Sequence, residues 1–288
     1  MAHGVPGPGG PPPLPPGGFD WTAWNADPSV VVGLAVLASA YAGAALYRRR
    51  LDPEARLAPH QVLSFGGALG VLLVALTGPV HDLSDYYLFS AHMVQHMLLV
   101  FAMPPLLLHG VPGWMIRPLL RGAVLRRLAP RLTRPAGAFA AFNVVLVVWH
   151  LPPVYNLTME QHPIHVVGHL LMIAAAVILW WPLLSPLPEL PRAPYPVQIL
   201  YLFVVGLPMV VVAIFISMAD SVLYPYYARA PRVIEALTPQ ADQHLGGLLM
   251  WVPGGLIFLV ALTVVFFRWQ GAGGDDIAVG PAKATHGG

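Results

Sequence analysis

Cysteine is absent from the 288 residues, which excludes disulfides, thiolate metal sites and cysteine nucleophiles together. Charge is nearly as scarce. Asp, Glu, Lys and Arg make up 10% of the chain against 57% hydrophobic residues, and the mean hydropathy is +0.66. A chain this poor in charge cannot build an ordinary water-facing surface and reads as an integral membrane protein. Its formal excess of +2 is too small to argue for nucleic-acid binding, so the sequence pI of about 9.0 reflects arginines at a lipid surface. Missing too are a G-x-S-x-G elbow, a phosphate loop and a dinucleotide fingerprint. The one tempting zinc-protease match, HMVQH at residues 92–96, lacks the glutamate that would serve as general base.

Long apolar runs are what the chain has instead. Residues 1–28, rich in proline and glycine, read as a disordered or polyproline tail that is retained and extracytoplasmic. Seven apolar spans follow, near 29–47, 61–79, 88–109, 136–151, 164–184, 196–217 and 244–267. The expected architecture is all-α: a polytopic bundle of seven transmembrane helices over residues 29–269, with 270–288 as a flexible cytoplasmic tail. Thirteen of the basic residues then fall on one side, leaving Arg229 and Arg232 on the other, which orients the chain N-terminus out and C-terminus in. The arginine-rich stretch 117–134 reads as a stop-transfer loop touching anionic lipid, with an amphipathic surface helix as the alternative form. Tyr86, Tyr87, Tyr155, Trp180, Trp181, Tyr224, Tyr226, Tyr227 and Trp269, all near span ends, read as interfacial anchors with Trp21 and Trp24.

Histidine is the residue whose placement carries chemistry. Eight of the twelve, His81, His92, His96, His150, His162, His165, His169 and His244, fall at one end of the bundle. His92 and His96 are four residues apart and share a helix face; His162, His165 and His169 follow i, i+3, i+7 and fall in a sector of about 60°. A lone intramembrane histidine is ordinarily a helix–helix hydrogen bond. Clustering from several helices points to a metal site.

Imidazole suits Zn, Cu, Fe and Ni, and the thioethers of Met93 and Met97, with Met159, Met218 and Met250 nearby, bias the choice toward copper. Each methionine taken singly is also an ordinary gap-filler between apolar helices. Asp82, Asp85, Glu160, Asp220 and Asp242 are carboxylates that can orient imidazoles, with Asp220 preferred because it lies at a helix end. Asn143 reads as an interhelical hydrogen bond. A retained Met1 would let Met-Ala-His3 chelate Cu(II) in square-planar fashion.

The stretch FSAHMVQHMLLVFAMPPLLLHGVP, with His150 ending one span, His162, His165 and His169 opening the next and a late His244, resembles the multi-spanning, CtaG-like assembly factors of caa-type cytochrome c oxidases. That resemblance implies a seven-span protein of the bacterial plasma membrane, non-enzymatic, needed for an active haem-copper oxidase and concerned with copper delivery to it. The partners implied are oxidase subunits and other copper chaperones. His92, His96, His165 and His169 would then hold copper, helped by His150, His162, His244 and, as auxiliaries, Met93, Met97, Asp220 and His81. A single-span copper chaperone that shares the label depends on cysteines and is excluded. Two other classes stay open: a histidine-rich di-iron oxygenase or desaturase, disfavoured because no adjacent His-His pair occurs and the pairs lie outside, and a haem-binding electron carrier with two axial histidines.

Overall fold

The computed structural model describes residues 11–52 and 56–273 and is 77% helical. Among those residues the extended structure is one antiparallel bridge, Ala26 to Thr77. The helices are α1 (Pro28–Leu51), α2 (Pro59–Leu76), α3 (Gly78–Tyr86), α4 (Phe89–Met97), α5 (Met103–Gly110), α6 (Gly113–Ile116), α7 (Ala123–Leu132), α8 (Pro135–His150), α9 (Pro152–Glu160), α10 (His162–Leu184), α11 (Tyr195–Val205), α12 (Leu207–Ser217), α13 (Pro225–Ala228) and α14 (Pro239–Gly271). Proline recurs in the first turn, where its missing N–H costs nothing. At α1 the cap is completed by Asp27, whose carboxylate accepts from the Ser29 amide at 2.7 Å.

Among the described residues six helices are long and apolar enough to cross a bilayer: α1, α2, the composite Phe89–Gly110, α10, the composite Tyr195–Ser217 and α14. The expected fourth span is α8, whose 16 residues extend about 24 Å. It meets α7 at a 96° bend. α7 carries Arg126, Arg127 and Arg131, with Val124, Leu125 and Leu128 exposed on it, as a helix lying along a lipid surface requires.

Span Phe89–Gly110 is not uniform. A π-turn occupies Leu98–Ala102, directly before Pro104 and Pro105, and the prolines explain it. Neither can donate to the carbonyl four residues back, so Val100 and Phe101 lose their α-helical partners. The Val100 carbonyl accepts instead from the Trp180 indole of α10 at 2.8 Å. Trp180 and Trp181, expected as interfacial anchors, are therefore buried, and Trp181 donates to Leu190 O at 3.1 Å. Replacing Trp180 with Phe orphans the Val100 carbonyl and should cost about 1–3 kcal/mol; a thermal melt in detergent micelles checks this, with Trp181→Phe for comparison.

Part of the proline- and glycine-rich leader packs on the bundle. The Asn25 side chain donates to Asp82 at 2.7 Å, and its carbonyl accepts from the Gly78 amide at 3.1 Å. Trp24 lies over Gly78, where a Cβ would sit 2.9 Å from the indole and φ is +68°, so this corner needs glycine twice over. Residues 1–10 and 274–288, including His3 and His286, lie outside the described residues.

Candidate metal centre

The site begins with the way α4 starts. Leu88, its N-cap, has no side chain to offer, and the first amides of the helix would be orphaned. Asp242 of α14 takes them: its carboxylate accepts from the Phe89 amide at 2.8 Å, the Ser90 amide at 3.0 Å and the Ser90 hydroxyl at 2.5 Å. Fully buried, Asp242 fixes where and how α4 enters, and hence where its histidines point.

One turn apart on α4, His92 and His96 have ring centroids 4.3 Å apart; His165 and His169 of α10 are 4.4 Å apart. Across the helix pair, His169 lies 6.1 Å from His92 and 6.2 Å from His96, while His165 lies 6.2 Å from His92. His150, the last residue of α8, closes the group at 5.8 Å from His96. Nitrogens of His92, His96 and His169 all fall within 4.8 Å of one another. Five imidazoles from three helices thus converge.

Their unsatisfied atoms are the informative feature. His92 Nδ1, His150 Nε2, His165 Nε2 and His169 Nε2 are buried without a hydrogen-bond partner, where such groups are normally paired. For His150 the tautomer follows from geometry: Nδ1–H donates to the Leu146 carbonyl at 2.7 Å, so the neutral ring presents a bare Nε2 lone pair to the cluster. His165 Nε2 lies 3.2 Å from Asp85 Oδ2 but is poorly aimed at it. Asp85 also has His81 Nδ1 at 3.5 Å and accepts from the Ser84 hydroxyl at 3.0 Å. Burial works against the ionised Asp85, yet the adjacent His165 and His81 outweigh it and hold the carboxyl well below its usual range. Convergent bare nitrogens in a buried pocket are a donor set for a cation of the Zn, Cu, Fe or Ni type.

Several expected ligands lie elsewhere. His162, at the solvent end of α10, is half exposed and faces Asp27 at 3.7 Å. On α14, His244 Nε2 lies 2.8 Å from the Gln240 amide nitrogen and 3.2 Å from Ala219 O, its partner set by the ring tautomer. The thioethers are set apart too, because a residue adjacent to a histidine points about 100° away around the helix. Met93 packs at Gly246, and Met97 lies with Met209 at Gly254, in the seam between α4 and α14. Met218 is exposed and Met250 is core. Asp220 is exposed; the carboxylate beside the imidazoles is Asp85. Asn143 donates within its own helix, to Phe139 O at 3.0 Å. His81 is near the cluster through Asp85, and also lies 3.4 Å from Gln95 Nε2.

An aromatic wall was hidden from the sequence. Tyr155, Tyr224, Tyr226 and Tyr227, expected at the lipid interface, are at most 3% exposed. Tyr155 stands 5.4 Å from His92. Tyr227 donates to the Ser84 carbonyl at 2.7 Å, which accepts only, so the 3.0 Å contact between the two hydroxyls has Tyr155 as donor. Tyr224 donates to the carbonyl of His150 at 2.9 Å. Proximity to a span end does not distinguish an outward from an inward side chain. The signal available for Asp85 was its i, i+4 spacing from His81.

Comparison with known proteins gives relatives of unstated function. Uncharacterized proteins of Mycobacterium bovis and Mycobacterium tuberculosis are each 25% identical over 266 residues, covering 86% of this chain and 39% of their own length. One of Mycobacterium leprae is 23% identical over 197 residues, covering 63% of this chain and 30% of its own. The chain therefore spans about two fifths of the first two relatives. No solved structure matches it. A family described as cytochrome c oxidase caa3 assembly factor matches residues 40–272, and its members are assembly factors rather than enzymes. Sharing that match over most of its length, the chain belongs to the cytochrome c oxidase caa3 assembly factor family.

Proposed function

We propose that this protein is a copper-holding assembly factor of the bacterial plasma membrane, passing the ion to a subunit of a haem-copper oxidase. One observation carries the metal-holding reading: buried, unpartnered imidazole nitrogens from α4, α8 and α10 converge; the choice of copper is supported by membership of a family that assembles a haem-copper oxidase. His92, His96 and His169 would hold the ion, with His150 and His165 as exchange ligands. Such a set, richer than any single coordination needs, suits acceptance and release better than a closed four-ligand cage. The arginine bias supports placing this end of the bundle on the non-cytoplasmic side, where another copper chaperone would load it. Elemental analysis of purified protein tests the reading, with about one copper per chain expected. Iron in its place would favour the oxygenase reading, and a Soret band the haem carrier.

A further inference from the structure

In the three-histidine site His92 is buried against Tyr155, while His96 and His169 are partly exposed, which raises the question of the side from which an ion enters. Beside it lies a cavity of about 30 Å³ lined by Asp85, Glu160, His162 and His165 among others, room for one water or one cation. Its lining is graded. Glu160 and His162 are exposed, Asp85 and His165 are buried, and His165 is in ring contact with His169 at 4.4 Å. Within it His165 Nε2 lies 3.2 Å from Asp85 Oδ2, and His162 shares the same cavity wall with both. Asp85 is a buried carboxyl group on the wall of this cavity, between the exposed rim and His165.

We propose that this cavity is the loading route, in which His162 at the rim, then Asp85, then His165 hand a copper ion by successive ligand exchange to His169, His92 and His96. This inference rests on the copper reading above. Each exchange breaks one donor–metal bond as the next forms, and no electron moves. A carboxylate midway lowers the barrier for a cation in a buried, low-dielectric passage, and a route residue speeds loading and release alike. Its loss should therefore change rates and leave the equilibrium alone, whereas a carboxylate that merely orients a ligand changes affinity.

The test is stopped-flow loading of the full-length protein in nanodiscs with Cu(I) from a chromophoric chelator, run beside equilibrium titration. Asp85→Asn should slow loading and release about tenfold with the dissociation constant unchanged, because the charge that eases the cation's passage is lost, and His162→Ala, at a half-exposed side chain, should slow loading by a smaller factor. Wild-type rates in both variants would overturn the route. So would weakened affinity at unchanged rate in Asp85→Asn, which would make Asp85 an orienting group. Should Asp85→Asn fail to fold, His162→Ala decides. Failure of the wild type to bind copper at all would instead overturn the copper reading.

Discussion

Protein carrying His92→Ala and His96→Ala together is expected to bind copper at least about a hundredfold more weakly than wild type and to be purified without it. Both lost nitrogens belong to the three within 4.8 Å of one another, which leaves His169 of that trio alone. Loss of fold is a poor rival explanation here. His92 Nδ1 is an unsatisfied buried atom, and deleting such a group removes a desolvation cost as well as contacts. Melting temperatures measured without copper should lie close together. Added copper should raise that of the wild type, since a ligand held only by the folded state stabilises it by mass action, and leave the double variant where it was. His244→Ala, whose ring is engaged at Ala219 and Gln240, should behave as wild type. Full copper in the double variant would dissolve the site assignment.

The second large effect is expected at a residue that touches no histidine. Asp242→Ala removes the acceptor for two backbone amides and a hydroxyl at the start of α4. Charge-assisted bonds of this kind are worth more than ordinary ones, and a buried helix start left uncapped should cost about 3 kcal/mol. Thr238→Ala offers the contrast: it deletes the side-chain cap of α14, an exposed bond to the Ala241 amide at 3.2 Å, for about 1 kcal/mol. Melts in micelles should rank them so. Because α4 carries His92 and His96, the Asp242 variant should also lose copper affinity while the Thr238 variant keeps it.

Helical periodicity made much of this legible. The membrane spans, the shared face of His92 and His96 and the pairing of His165 with His169 follow from 3.6 residues per turn and from hydropathy. Periodicity speaks only within one helix, however. It extended the α10 face back to His162, whereas the helix has reached solvent by its first residue and His162 turns to Asp27. It had no means to show that Met93 and Met97 face α14, or that Tyr155, Tyr224 and Tyr227 fold back over the histidines instead of meeting lipid. Asp85 and Asp242 were visible as carboxylates near the cluster. Their different tasks, one beside an imidazole and one capping a helix 152 residues away in sequence, depend on tertiary packing.

The π-turn also has a mechanical side. Where Trp180 grips the Val100 carbonyl, α10 is pinned to the neighbouring span, and His169 sits eleven residues up α10 from that pin, about 16 Å along the axis. The pin is a fulcrum and α10 a lever. A rock of about 5° at the fulcrum swings His169 by about 1.4 Å, several times the roughly ±0.2 Å within which coordination distances are ordinarily found. In the proposed copper site, two imidazoles ride on one arm and the third on the other. Under the proposed copper reading, a partner that leans on α10 by so little loosens the grip from three nitrogens to two without unfolding a single turn.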